Sequence, residues 1–135
     1  MNDIKLLFEP RTIAVVGASK DPKKIGHTVV KNILASGYTG KVYPINPSGG
    51  DVLGLQAYAD IDAIDDQVDM VCTTIPSKFV LDSVKRCADR GVKYNVIITS
   101  GFSEIGDSET ERKITEYSLS RGMRVVGPNV FGVYS

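Results

Sequence analysis

The chain has 135 residues, 42% hydrophobic and 24% charged, which excludes disordered and collagen-like classes and fits a single domain. Sixteen Lys and Arg balance sixteen Asp and Glu, so the basic surplus of a protein that wraps nucleic acid is missing. Apolar runs fall far short of the ~20 residues of a bilayer span, and Met1 to Pro10 lacks a signal-peptide core; the expectation is a cytoplasmic protein without nucleic-acid or membrane partners.

The first element is a short apolar run, Thr12 to Val16, ending at Gly17. Ile25, Val29, Val30, Ile33 and Leu34 then recur at helical spacing until Gly37 stops the helix. Val42 to Ile45 reads as the second strand, with Pro44 withholding one ladder donor and suggesting an irregular end. Ser48 to Gln67 is the loosest stretch, with one short helix near Asp60 to Ile64. Val68 to Ile75 is the third strand, and the helix after it carries Val80, Val84 and Cys87 on one face and ends at Gly91. Asn95 to Thr99 is the fourth strand. Ser108 and Glu111 match a capping box that opens the last helix, through Ile114 and Tyr117, and Met123 to Val126 is the fifth strand after Gly122.

Three helices thus end in a glycine followed at once by a strand, and the strands are near-continuous Val and Ile. Alternating strand and helix with right-handed crossovers gives an α/β fold: a doubly wound parallel sheet of five strands with helices on both faces. Cys72 and Cys87 sit in no metal-ligand or CxxC spacing and read as small core residues. His27, the only histidine, lacks ligand partners and reads as a surface or capping residue, so no metal site is expected.

Ligands of open parallel sheets bind beyond the carboxyl ends of the strands. That rule selects Gly17-Ala18-Ser19, Asn46 to Gly50, Ile75-Pro76-Ser77, Ser100 to Ser103 and Gly127-Pro128-Asn129. The first of these joins strand to helix, where free amides favour a phosphate, and Lys20, Lys23 and Lys24 add cations beside them. NAD fits poorly. Position 19 is Ser where GxGxxG wants Gly, and Ile45-Asn46-Pro47 supplies no carboxylate for a ribose. No GxxxxGK[ST] loop and no GxSxG elbow occurs, and no catalytic residue is expected in the chain.

Phe8 to Ser19, followed by Lys24-Ile25-Gly26, resembles the opening of the CoA-binding domain of NDP-forming acyl-CoA synthetases, in the succinyl-CoA synthetase superfamily. Val42 to Pro47, Ile97 to Glu104 and Gly127-Pro128-Asn129 match later blocks of that family in the same order, and the resemblance runs from about Leu6 to Val133. It implies a Rossmann-like domain that binds coenzyme A. By that analogy, Gly17, Ala18, Ser19, Lys23, Lys24, Ile25 and Gly26 hold the diphosphate. Asn46, Pro47, Ile75 and Pro76 flank the adenosine and pantetheine; Thr99, Ser100 and Gly101 line the pantetheine path, and Asn129 lies near the thiol end. A missing acid after the second strand suits CoA, because a carboxylate there would repel the 3′-phosphate.

Where Ser48 stands, many relatives carry Lys. The resemblance further implies that residues 1–135 are one domain near the start of a larger acyl-CoA ligase, not catalytically complete alone. Its partners would be a downstream phosphohistidine-bearing domain and an ATP-grasp region. A stand-alone CoA-binding regulatory module is the alternative, and an NAD(P)-binding Rossmann domain a weaker one resting on fold analogy. Some acetyltransferases carry the same module.

Overall fold

A computed structural model describes residues 9–98 and 108–127 of the chain. Five strands form one parallel sheet: β1 (Thr12–Val16), β2 (Lys41–Ile45), β5 (Met70–Thr73), β6 (Tyr94–Ile97) and β7 (Arg124–Val126), in the order β2-β1-β5-β6-β7. Helices α1 (Ile25–Ala35), α2 (Val80–Asp89) and α3 (Ser108–Ser120) supply the crossovers. The strand order reverses at β1, as a doubly wound sheet requires.

Alternation along the strands divides the core between two faces. Ile13 and Val15 of β1, with Met70 and Cys72 of β5, pack on the side of α1, against Val29, Val30 and Ile33. Ala14 and Val71 point the other way, onto Val80, Val84 and Cys87 of α2 and Ile114 of α3. Fully burying a valine such as Val15 or Val30 contributes about 1.5–3 kcal/mol, so one aliphatic stripe per helix is enough to fix its side. Helices therefore cover both faces, as the pattern predicts. Gly37, Gly91 and Gly122 follow the helix ends with positive φ, and each releases the chain into the next strand.

Two features differ from the sequence expectation. Pro44 does not disturb β2, which runs in register with β1 through Ile45. The Pro44 carbonyl accepts from the Tyr58 amide at 2.9 Å, on the outer side of the strand, so the missing proline donor falls away from β1. The loose stretch after Ser48 also contains a small antiparallel hairpin, β3 (Asp51–Val52) and β4 (Leu55–Gln56). Val52 and Leu55 join the core on the α1 side, and Tyr58 then bridges to Ile45 in parallel. The predicted short helix near Asp60 is a 3-10 turn, Ile61–Ala63, with Asp60 as its cap. No helix among the described residues is long and apolar enough to cross a membrane.

Candidate functional site

The turn after β1 is held by contacts that leave it almost no freedom. Gly17 has φ 95°, and a Cβ there would stand 2.3 Å from Thr74 Oγ1. The amides of Gly17 and Ala18 both donate to the Ile45 carbonyl, at 3.1 and 3.2 Å. The Val16 carbonyl accepts from the Thr74 amide and hydroxyl, at 2.9 and 2.8 Å. Asn46 Nδ2 donates to the Ala18 carbonyl at 2.9 Å, and His27 Nδ1 lies 2.9 Å from the Ser19 carbonyl. A carbonyl only accepts, so that nitrogen carries the proton. His27 thus ties α1 back onto the turn that precedes it, a positioning role near the helix start.

Helix α1 begins where this turn ends, and it begins unusually. A Cβ on Gly26 would come within 1.9 Å of the Gly17 carbonyl oxygen, so only glycine lets the helix start sit against the turn. Lys24 occupies the cap position with extended backbone and no side-chain cap bond, and the first turn contains no acid. The amides of Ile25 and Gly26 find no acceptor among the described residues. By contrast, α2 carries Asp82 and α3 carries Glu109 and Glu111 in their first turns. Cations at a helix N-terminus oppose the macrodipole, and a missing cap costs about 1 kcal/mol. An anion at this spot would satisfy both deficits.

Ten residues singled out from the sequence come together in one cleft of about 490 Å³: Gly17, Ala18, Ser19, Lys24, Ile25, Gly26, Asn46, Pro47, Ile75 and Pro76. Thr74 and Ile98 complete its lining, and neither was singled out. Ser19 Oγ accepts from the Asp21 amide at 3.0 Å, which leaves its hydroxyl proton available to a ligand. Lys23 does not join the cleft. It is exposed, and its amide donates to Asp21 Oδ1 at 3.0 Å, within a tight turn that lies outside the lining. Thr99, Ser100, Gly101 and Asn129 lie outside the described residues.

A second cleft, of about 400 Å³, adjoins the first and shares Gly17, Pro47 and Ile75 with it. Its walls are largely apolar, from Val16, Ile45 and Ile61 to Cys87, and Phe79 stands exposed at its rim with Lys78 Nζ 5.2 Å from the ring centre. Asp60 and Arg86 face it as an ion pair at 3.6 Å, with Asp62 3.0 Å from Arg86. Arg90 donates to the carbonyls of Ile61, Ile64 and Asp66 and so holds the segment that carries Ile61 into this cleft. Sequence reading singled out Gly17, Pro47 and Ile75 but not the rest of this cleft, because Asp60, Ile61, Phe79 and Arg86 lie outside the loops that the strand-end rule selects. Burial pushes the Cys87 thiol up to about 12 and Cys72 to about 11, so neither supplies a thiolate near neutral pH. Among the described residues no group of His, Cys, Asp or Glu is placed to hold a metal ion.

Residues 11–135 match the model of the CoA binding domain family. The alpha subunit of ADP-forming acetate–CoA ligase I from Pyrococcus furiosus is 40% identical over 96% of this chain, which spans 29% of that subunit. Among solved structures, the dinucleotide-forming acetyl-coenzyme A synthetase 1 of Ca. Korarchaeum cryptofilum, in complex with phosphate and ADP, superposes with a TM-score of 0.89 at 48% identity. The match covers 96% of this chain and 28% of that one. A conserved hypothetical protein from Pyrococcus furiosus gives a TM-score of 0.70 at 28% identity, covering 93% of this chain and 99% of that one.

Proposed function

Because this chain belongs to the CoA-binding domain family, homologous to the CoA-binding region of ADP-forming acetyl-CoA synthetases, we propose that its cleft holds coenzyme A with the diphosphate at the start of α1. The observation that carries the reading is the electrostatic oddity of that helix. It opens with Lys24, free amides at Ile25 and Gly26, no cap and no acid, against the Ser19 hydroxyl. A diphosphate replaces the absent cap and neutralises the lysine. The adjoining apolar cleft, with the exposed Phe79 ring, offers a seat for the adenine or the pantetheine arm.

In the parent reaction we infer for this chain, acyl-CoA, NDP and phosphate interconvert with free acid, CoA and NTP. The residues described here bind and orient CoA for that step. Gly17, Ala18, Ser19 and Gly26 shape the phosphate cradle; Asn46 and Pro47 on one side, Ile75 and Pro76 on the other, form the channel walls. Phosphohistidine chemistry and nucleotide binding by an ATP-grasp region belong to companion domains or subunits, since this chain spans less than a third of the synthetases it matches. A second reading, a stand-alone CoA-binding module, draws support from the Pyrococcus furiosus protein that the chain covers over nearly its full length.

Calorimetric titration with CoA, NAD and NADP tests the ligand. CoA binding tighter than either dinucleotide supports the reading. Equal or tighter binding of NAD ends it.

A further inference from the structure

We propose that Lys20 recognises the ribose phosphate of the bound nucleotide and so makes the chain prefer CoA to dephospho-CoA; this rests on CoA being the ligand of the cleft. In a doubly wound domain the ribose lies beside the end of the second strand, where an acid reads a free hydroxyl or a cation reads a phosphate. Here β2 ends at Ile45, and the loop after it offers neither from its own side chains. Asn46 is committed on both ends, its Nδ2 to the Ala18 carbonyl and its Oδ1 accepting from the Ser48 amide at 2.8 Å. Pro47 and Ser48 carry no charge.

The cation comes from the other loop. Lys20 belongs to the turn after β1, yet its side chain crosses to the loop after β2. A Cβ on Gly50 would stand 3.2 Å from Lys20 Nζ and 3.7 Å from its Cε. Gly50, lacking a side chain, leaves the space that the ammonium uses. Among the described residues Lys20 makes no ion pair, although Asp21 follows it in the chain and Asp51 follows Gly50. Its three N–H donors therefore stay available beside Gly50, in the loop that Asn46 and Pro47 open, while Lys20 itself lies just outside the cleft lining. Lys24 sits at the helix start, where the diphosphate belongs, so the two lysines serve different phosphates of one ligand.

The test compares CoA with dephospho-CoA, which differ only in the 3′-phosphate, on the wild-type chain and on Lys20→Gln, Lys20→Arg and Lys31→Gln. Lys31 is an exposed lysine farther along α1 and controls for the general loss of one positive charge. The wild type should prefer CoA, and Lys20→Gln should lose about tenfold on CoA while its affinity for dephospho-CoA stays within about twofold. Lys20→Arg should keep the preference, and Lys31→Gln should leave both affinities within about twofold of wild type. Equal losses on both ligands, no loss on either, or a matching loss in Lys31→Gln would overturn the assignment of Lys20. A wild type that binds neither ligand would instead overturn the CoA reading on which it rests.

Discussion

Asn46 Nδ2 donates to the Ala18 carbonyl at 2.9 Å while Asn46 Oδ1 accepts from the Ser48 amide, so one side chain locks the turn after β1 to the loop after β2. Both walls of the cleft therefore depend on it. Asn46→Ala leaves a partly buried carbonyl without its donor and should cost about 1–3 kcal/mol in urea unfolding, with weaker CoA binding. Asn46→Asp should bind CoA more weakly still. Its carboxylate would face the Ala18 carbonyl without a proton to donate and would place negative charge beside the ligand's phosphates. Affinity for CoA in Asn46→Asp equal to that in Asn46→Ala would contradict this account.

Gly26 sets a second expectation. Alanine in a helix normally gains about 1 kcal/mol over glycine. At this position the added carbon would stand 1.9 Å from the Gly17 carbonyl oxygen, and the obstacle is backbone, which cannot rotate away. Gly26→Ala should therefore lose about 3 kcal/mol of stability and displace the helix start from the turn. Chemical denaturation measures the first effect, and CoA titration of the folded fraction measures the second.

Lys24 contributes through its charge at the helix start. Lys24→Ala should weaken CoA binding by about 1–3 kcal/mol, measured calorimetrically. The loss should shrink as salt rises, because the contact is solvent-exposed. Folding stability should hold or rise slightly, since the substitution removes a cation that opposes the α1 dipole. A variant that loses stability but not affinity would make this lysine structural.

The two thiols give a pH-dependent prediction. Burial raises Cys72 to about 11 and Cys87 to about 12, above the ordinary thiol value. Both are therefore protonated in the fold at pH 8, and a disulfide reagent should label them only as fast as the chain opens. The sign for stability follows from linkage: unfolded thiols ionise first, so their contribution is complete below about pH 8 and declines as pH rises above it. Rapid labelling of the folded chain at pH 8 would refute the burial argument.

The alternation of strand and helix was legible because each helix shows an apolar stripe and each strand a short aliphatic run, as at Val29, Val30 and Ile33 against Thr12 to Val16. Pairing beyond the strand ends followed from topology, which is why Gly17, Asn46 and Ile75, far apart in sequence, meet in one cleft. The β3–β4 hairpin was not legible. Two-residue strands are too short to display a period, and its turn uses Leu53 at φ 52°, a conformation that leucine's identity does not announce. Lys23, expected beside the diphosphate, lies outside the cleft lining for a related reason. Composition places a lysine in a loop, but the Asp21 turn decides which lysine faces the cleft. Lys20 was read only as one of three cations beside the first loop, because its reach toward Gly50 depends on the path of a different loop.

Tyr58 lies along the outer side of β2, accepting from the Asn46 amide and donating to Pro44, while Pro44 itself has no hydrogen to offer a newcomer. That rim of the sheet is accordingly closed to a strand from a neighbouring molecule at its carboxyl half. Another protein surface would have to meet this stretch through side chains, and accidental sheet-to-sheet polymerisation through it is blocked by the same two residues.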